Sequence, residues 1–310
     1  MAEVTAALVK ELREKTGAGM MDCKRALGDS GGDIEAAIDW LRKKGLSAAA
    51  KKAGRVAAEG LIGVATRGPV GAVVEVNSET DFVARNNAFQ SFVRTVSRLA
   101  LDADGELASL KEADFPGAGR TVEEELTHLI ATIGENLVLR RVARLSTEHG
   151  AVHSYVHNTL GPGLGKIGVI VTLASTAGAD QLAALGKDLA MHIAAASPLY
   201  LDIASVPQAA LDREREVLRE QARATGKPDS VVDRMVEGRL RKFYEDFVLL
   251  EQIFVKDEEK KTKIAKVVEQ ASKAAGTPIR IASFARLALG EGIERPPTDF
   301  AAEVAAQLKN

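Results

Sequence analysis

The chain contains a single cysteine, Cys23, among its 310 residues, so it cannot form an internal disulfide. The absence of disulfides is typical of proteins in reducing compartments. Residues 1–5 include an acidic residue and no long apolar run, unlike a secretory signal. We therefore expect a cytoplasmic protein in which Cys23 is a small buried side chain.

The sequence also lacks long apolar runs and an excess of charge of one sign. No stretch approaches the roughly 18 uninterrupted apolar residues that predict a membrane-spanning helix. The chain has 41 basic and 43 acidic residues, a net charge of −2, which excludes nucleic-acid binding through bulk positive charge. We expect neither a membrane nor a nucleic acid as a direct partner.

Known catalytic and metal-binding patterns are absent as well. Residues 160–166 superficially suggest a phosphate-binding loop, but Leu160 stands where that motif has its first glycine, and Ile167 replaces its serine or threonine. Three histidines recur at a spacing of four, but in a predicted strand rather than on one helical face: His149, His153 and His157. We therefore predict a protein that is not an enzyme and that needs no cofactor or metal.

Residues 1–55 have the pattern of three short helices. Apolar residues at a spacing of four mark the first helix: Val4, Leu8 and Leu12. A glycine-containing break at residues 16–19 separates it from a second helix over about residues 20–27. Asp33 caps a third helix, which we expect to end at Gly45. This predicts a small helical domain with a very small core.

Residues 42–55 carry six basic residues and no acidic one. They could form a patch for a nucleic acid or an acidic partner, or they could be a solvated linker helix. We favour the linker, because the rest of the chain has no matching basic excess.

The central part of the chain contains one pattern twice: a strand, a glycine- and proline-containing turn, a strand and a helix. A third strand, further along the chain, completes each copy. The first copy occupies residues 61–66, 72–76, about 80–101 and, for its third strand, 138–145. The second copy occupies residues 152–157, 167–173, 179–196 and 279–289. Short turns favour antiparallel pairing. We predict an α+β fold with a duplicated core of two small antiparallel sheets, each covered on one face by helices.

Residues 205–275 interrupt the second copy. Apolar residues spaced by three and four on both sides of a turn at residues 226–228 predict an antiparallel helical hairpin, a short coiled coil. A charge run at residues 256–266 is expected to be solvated helix. A last helix should start at Thr298 and include Phe300. The predicted boundaries are 1–55, 56–147, 148–204 with 276–297, 205–275, and 298–310.

Residues 75–86 leave a predicted strand and enter a predicted helix. A purely local interpretation makes Ser78 or Thr80 the helix cap and places Phe82 in the core. The sequence Thr-Asp-Phe recurs at Thr298, again before a predicted helix, which favours this local interpretation. The alternative is a loop that binds a partner.

Several blocks that occur in one order make the whole chain similar to the elongation factor Ts family. The most specific block is Glu75-Val76-Asn77 followed by Thr80-Asp81-Phe82-Val83-Ala84. Further blocks lie at residues 8–13, 16–24, 32–37, 134–136, 140–141, 191–195, 235–239 and 290–294. The resemblance implies a ubiquitin-associated-like N-terminal domain, a two-part core, a protruding hairpin and a C-terminal module.

The resemblance also implies a function, the release of GDP from elongation factor Tu. By this similarity, Thr80, Asp81, Phe82 and Val83 intrude beside the nucleotide site of the partner and disturb its magnesium ion. Further partner contacts are implied for a second group: Leu12, Met20, Met21, His157 and Phe300. Core packing is the alternative for Leu12, Met20 and Met21. The turn at residues 158–166 is longer than is usual in the family, which leaves the role of His157 open.

Two other functions compete with this interpretation. The helical N-terminal domain could belong to an adaptor of ubiquitin-like proteins, but an adaptor leaves the duplicated core unexplained. Nucleic-acid binding depends on residues 42–55 alone, and steep salt dependence would reveal it. The hairpin could contact the partner or, like the core, join two copies of the chain.

Overall fold

The structure is a computed structural model, and it describes residues 4–224 and 228–294. Within these residues it is an α+β protein with three N-terminal helices and small antiparallel sheets, which confirms the predicted fold class. The predicted C-terminal helix, with Thr298 and Phe300, lies outside the described residues. None of the described helices is long and apolar enough to span a membrane.

The N-terminal module consists of three helices, α1 (Ala6–Thr16), α2 (Met20–Asp29) and α3 (Ile34–Lys52). The side chain of Thr5 caps α1, and Asp33 caps α3 by accepting a hydrogen bond from the Ala36 amide. Their apolar faces meet in a small core that contains Cys23, as expected: Val9, Leu12, Cys23, Ala26, Leu27 and Ala37.

The first core module follows the N-terminal module. In chain order it contains β1 (Glu59–Arg67), β2 (Val70–Ser78), α4 (Asn87–Leu99), α5 (Leu107–Glu112), β3 (Asp114–Phe115), β4 (Arg120–Thr121), α6 (Val122–Ile133) and β5 (Leu137–Ser146). Strands β5, β2 and β1 pair antiparallel, and α4 and α6 pack on one face of this sheet. The short β3–β4 pair brings Phe115 onto the ring of Phe92, with ring centroids 5.6 Å apart.

The second core module repeats the arrangement and carries the hairpin. It contains β6 (Gly150–His157), β7 (Leu164–Gly165), β8 (Ile167–Ala174), α7 (Ala179–Ala196), α8 (Gln208–Arg223), α9 (Asp229–Phe247), α10 (Ile264–Ala275) and β9 (Arg280–Ala288). Strands β6, β8 and β9 form an antiparallel sheet, and α7 packs on β6 and β8. Helices α8 and α9 pair through the predicted apolar residues, which include Leu211, Leu218, Val236 and Leu240.

The two sheets pack face to face, which the sequence pattern did not reveal. Ile62 and Val73 of the first sheet meet Val152, Ile170 and Leu287 of the second. In addition, β7 belongs by sequence to the second module but pairs with β1 of the first. The helices therefore cover the outer face of each sheet, and the inner faces bury one another.

Helix α3 does not end at Gly45, so that prediction was wrong. Gly45 is buried, and a methyl group added there would lie 3.6 Å from the side chain of Ala131 in α6. The missing side chain lets the two helices approach, and this contact outweighs the low helix propensity of glycine. The helix then continues to Lys52.

The basic residues of α3 dock the N-terminal module on the core. Arg42 forms an ion pair with Glu124 of α6, and the Lys52 ammonium donates to the Ile130 carbonyl oxygen at 3.4 Å. Lys44 pairs with Asp22 inside the N-terminal module. The basic segment at residues 42–55 is thus mostly a helix that packs within the chain, and only partly a linker.

Two predicted helix boundaries also differ from the structure. Helix α4 starts at Asn87 and not near Thr80, because the Asn86 side chain accepts hydrogen bonds from the amides of Ala88 and Phe89. The charge run at residues 256–266 was predicted as helix, but α10 begins only at Ile264. Before it, the Asp257 carboxylate accepts hydrogen bonds from the backbone amides of Glu259, Lys261 and Thr262. These bonds hold the segment in a turn.

We predict that Gly168→Ala destabilises the protein by about 1–3 kcal/mol, because it overpacks the layer between the sheets. An added methyl group at Gly168 would lie 2.5 Å from the Cγ2 atom of Ile62 and 2.7 Å from that of Val64. Gly238→Ala in α9 is the control, since nothing lies within 4 Å of its added methyl group. The free energy of unfolding in urea measures both. Equal effects of the two variants would contradict the tight sheet packing.

We predict that stability falls as the pH drops from about neutral towards the folded-state pKa of His128. Burial, with a smaller contribution from the charge of Arg120, lowers the pKa of His128 from 6.5 to about 4. Between these values the unfolded chain binds a proton that the folded chain does not, so acid favours unfolding. The urea midpoint of His128→Gln should depend less on pH in this range. An unchanged pH dependence would contradict the prediction.

Candidate functional site

The candidate site is the loop of residues 79–82, which joins β2 to a single 3-10 turn at Val83–Arg85 and then to α4. Phe82 is 78% exposed, the largest exposed fraction among the described large apolar side chains. Thr80 and Asp81 are also exposed. Val83 is buried in the core of the first module. The local interpretation that placed Phe82 in the core was therefore wrong, as was the expected cap at Ser78 or Thr80.

The loop is tied to the segment that connects α6 to β5. Both carboxylate oxygens of Glu135 accept hydrogen bonds from Thr80, one from its amide at 2.9 Å and one from its hydroxyl at 2.6 Å. The Ser78 hydroxyl donates to the Thr80 carbonyl oxygen at 2.8 Å. The chain reaches Glu135 through Gly134, whose left-handed backbone (φ +91°) ends α6. The hydroxyl groups expected to cap a helix thus hold the loop instead.

A second tether joins the same region to the N-terminal module. The Asn136 amide donates to the Glu79 carboxylate at 2.6 Å, and the Asn136 side chain donates to the Arg55 carbonyl oxygen at 2.7 Å. The Arg55 guanidinium also lies 3.6 Å from Glu79. Residue 55 belongs to the connection between α3 and β1, so one asparagine holds both the loop and this connection.

Below the loop, a buried carboxylate connects the two core modules. Glu75 of β2 accepts hydrogen bonds from Arg140 at 3.1 Å, from Arg141, and from the Gly290 amide at 2.8 Å. Arg141 also donates to the Ala288 carbonyl oxygen at the end of β9. Glu75 is fully buried, so this pairing stabilises a charge that would otherwise be costly to bury. The strand that leads into the loop is therefore anchored to both sheets.

The N-terminal module exposes two of the predicted contact residues. Met20 and Met21 at the start of α2 are 61% and 70% exposed. Leu12 is fully buried in the core of the module, where it packs rather than reaching the surface. Unbranched methionine side chains adapt to irregular surfaces, so the pair offers an apolar contact to a partner.

His157 lies at the exposed end of β6. Its Nδ1 atom lies 3.3 Å from the Tyr155 hydroxyl oxygen. Residues 158–166 that follow it contain β7, and the Lys166 ammonium pairs with Glu59 at 3.2 Å. The segment that superficially suggested a phosphate loop thus completes the first sheet.

We predicted no role for Glu135 and Asn136, which belong to one of the blocks that carry the family resemblance. The one local signal was a glycine followed by two polar residues before the predicted strand at residues 138–145. Only the pairing of β5 with β2 sets these residues beside the loop, since Leu137 is the partner of Ser78.

The arrangement offers an apolar side chain, Phe82, and a carboxylate, Asp81, on a tethered loop. Within the described ranges, no cluster of three histidine, cysteine or acidic side chains could hold a metal ion.

Burial lowers the pKa of His192, whose Nε2 atom lies 3.0 Å from the Gln252 side-chain oxygen. This histidine fastens the base of the hairpin to α7.

Comparison with known proteins identifies the family. The family model described as Elongation factor TS matches residues 79–291. Elongation factor Ts of Rhodospirillum rubrum is 65% identical over 310 residues, covering all of both chains. That of Paramagnetospirillum magneticum is 62% identical over 307 residues, 99% of this chain and 98% of the relative. The chain therefore belongs to the elongation factor Ts family, the nucleotide exchange factors that act on elongation factor Tu in translation elongation.

Proposed function

We propose that the loop of residues 79–82 is the surface through which this exchange factor displaces the nucleotide from elongation factor Tu. The observation that supports the proposal is Phe82, which is 78% exposed on a loop held by two tethers. Aromatic side chains are frequent binding hot spots, and an exposed ring on an ordered loop is available for burial by a partner.

The proposed mechanism acts on the magnesium ion that bridges the nucleotide and the partner. Magnesium requires nearly ideal octahedral geometry and usually keeps several water molecules. Phe82 would insert between elements of the partner and separate them, while the Asp81 carboxylate would compete for the groups that hold the magnesium waters. Val83, which is buried, would support the loop from below. GDP then loses contacts and dissociates without any covalent step.

Thermodynamic linkage constrains this mechanism. If the chain weakens the binding of GDP to the partner, GDP must weaken the binding of the chain by the same factor. The chain should therefore prefer the nucleotide-free partner, and binding of a new nucleotide should release it. Exchange is thus a cycle of binding steps, consistent with a protein that is not an enzyme.

We further propose that Met20 and Met21 form a second contact with the same partner. They are the most exposed large apolar residues of the N-terminal module, and this module is docked on α6, the helix whose end carries Glu135. Leu12 would act only by holding the module together. For His157 the support is its exposed position alone, and Phe300 remains an expectation from the family resemblance.

We predict that Phe82→Ala and Asp81→Ala each slow GDP release by about tenfold and the double variant by more, because each removes an interaction that opens the nucleotide site. Stopped-flow release of a fluorescent GDP from elongation factor Tu measures this. Circular dichroism and thermal unfolding should match those of the unmodified chain, since both side chains are exposed.

Arg85→Ala, three residues along the same segment and also exposed, is the matched control and should leave the release rate nearly unchanged. Full acceleration by the Asp81/Phe82 double variant would move the site elsewhere while leaving the family assignment intact.

We predict that Met20→Ser combined with Met21→Ser weakens binding to nucleotide-free elongation factor Tu by about tenfold, because an apolar contact is lost. Isothermal titration calorimetry gives the Kd. Leu12→Ala is the contrast, because truncating a buried leucine costs about 2–5 kcal/mol of stability and should melt the module. Unchanged affinity of the methionine double variant would refute the second contact.

A further inference from the structure

We propose that Glu135 and Asn136 are positioning residues for nucleotide exchange. They would hold the loop of residues 79–82 in the shape that presents Phe82, and Asn136 would fix the connection to the N-terminal module beside it. This inference rests on the proposed function of the loop and adds residues that never touch the nucleotide site.

The first observation is how little else holds the exposed part of the loop. Apart from the bonds to Glu135 and Asn136, the loop has local hydrogen bonds: the Ser78 hydroxyl donates to the Thr80 carbonyl oxygen, and the amides of Ala84 and Arg85 donate to the carbonyl oxygens of Asp81 and Phe82. The Phe82 side chain is mostly exposed to solvent. We therefore infer that the geometry of the loop depends on the hydrogen bonds of Thr80.

Glu135 holds Thr80 through two hydrogen bonds. A carboxylate that accepts from both the amide and the hydroxyl of one residue fixes its backbone and its side-chain rotamer together. Hydrogen bonds to an ionised acceptor are among the stronger ones in proteins. Glu135 is half-buried, whereas Thr80 is exposed.

Asn136 forms hydrogen bonds both to the loop and to the connection between α3 and β1. Its backbone amide holds Glu79, and its side chain holds the Arg55 carbonyl oxygen, so the loop and the connection from α3 converge on one buried residue. Helix α6 contacts α3, and Glu135 and Asn136 follow directly after Gly134, which ends α6. The N-terminal module and the loop are thus joined through a single rigid helix.

Pre-organisation explains why this arrangement would matter for exchange. A loop already in its bound shape does not lose conformational freedom when it enters the partner, so more of the interaction energy acts on the nucleotide site. Without the grip on Thr80, the same Phe82 side chain would be present but would rarely occupy the effective position.

The test is a double-mutant cycle between Glu135 and Phe82, with GDP release from elongation factor Tu as the readout. Glu135→Ala should slow release by about tenfold in the unmodified chain and by less than about twofold in the Phe82→Ala background, because it acts through Phe82. Glu135→Gln, which can still accept one hydrogen bond, should lie between. Glu112→Ala, an exposed glutamate of the same module, is the control and should have no effect.

Hydrogen–deuterium exchange supplies a readout that a general loss of stability would not produce. In Glu135→Ala, exchange should accelerate in a peptide covering Thr80–Ala84 and remain slow in β2. For Asn136→Ala, the accelerated region should also include Arg55. If Glu135→Ala does not fold, Thr80→Val, which removes only the hydroxyl, replaces it in the cycle.

The outcomes separate this inference from the proposed function. If Phe82→Ala itself leaves release unchanged, the proposed function fails. If Phe82→Ala slows release but Glu135→Ala does not, despite a loosened loop, only the positioning role is overturned. Equal slowing by Glu135→Ala in both backgrounds would also overturn it, because the effect would then bypass Phe82.

Discussion

The two small sheets pack closely face to face, and this packing sets the positions of the other elements. Neither sheet could bury both faces alone, and the absence of a side chain at Gly168 lets Ile62 and Val73 approach the second sheet. Strand β7 crosses over to pair with β1, and Glu75 accepts hydrogen bonds from both modules. The duplicated halves therefore form one unit, and β2 becomes a rigid lead into the loop.

That rigidity is what makes an exposed phenylalanine useful. An exposed ring binds a partner efficiently only if its position is fixed before binding. Here we infer that Glu135 and Asn136, which follow α6, fix it. The same helix receives the N-terminal module, through the Gly45 contact and the pairing of Arg42 with Glu124. The two candidate contact surfaces of the chain, at Phe82 and at Met20–Met21, are thus carried by elements that share one support.

Many of the helices and strands were predictable, and the wrong boundaries have separate causes. The strands, α7 and the hairpin follow from periodicity because their apolar residues face the nearest layer. The predicted helix end at Gly45 and the helix start near Thr80 were wrong because local propensity was overruled by a contact with α6 and by the Asn86 cap. The site residues followed from family resemblance, since the local pattern alone placed Phe82 in the core.

The three N-terminal helices, the duplicated strand–turn–strand–helix pattern, the hairpin and the family could be predicted from the sequence, because these depend on residue periodicity, on glycine and proline, and on short ordered motifs. Helices α5 and α6, strand β7 and the β3–β4 pair were not predicted. Only the tertiary structure decided that the sheets face each other, that β7 changes sheets, and that Glu135 and Asn136 hold the loop. Each of these brings together residues distant along the chain, such as Thr80 and Glu135, and no periodicity within one segment encodes such a meeting.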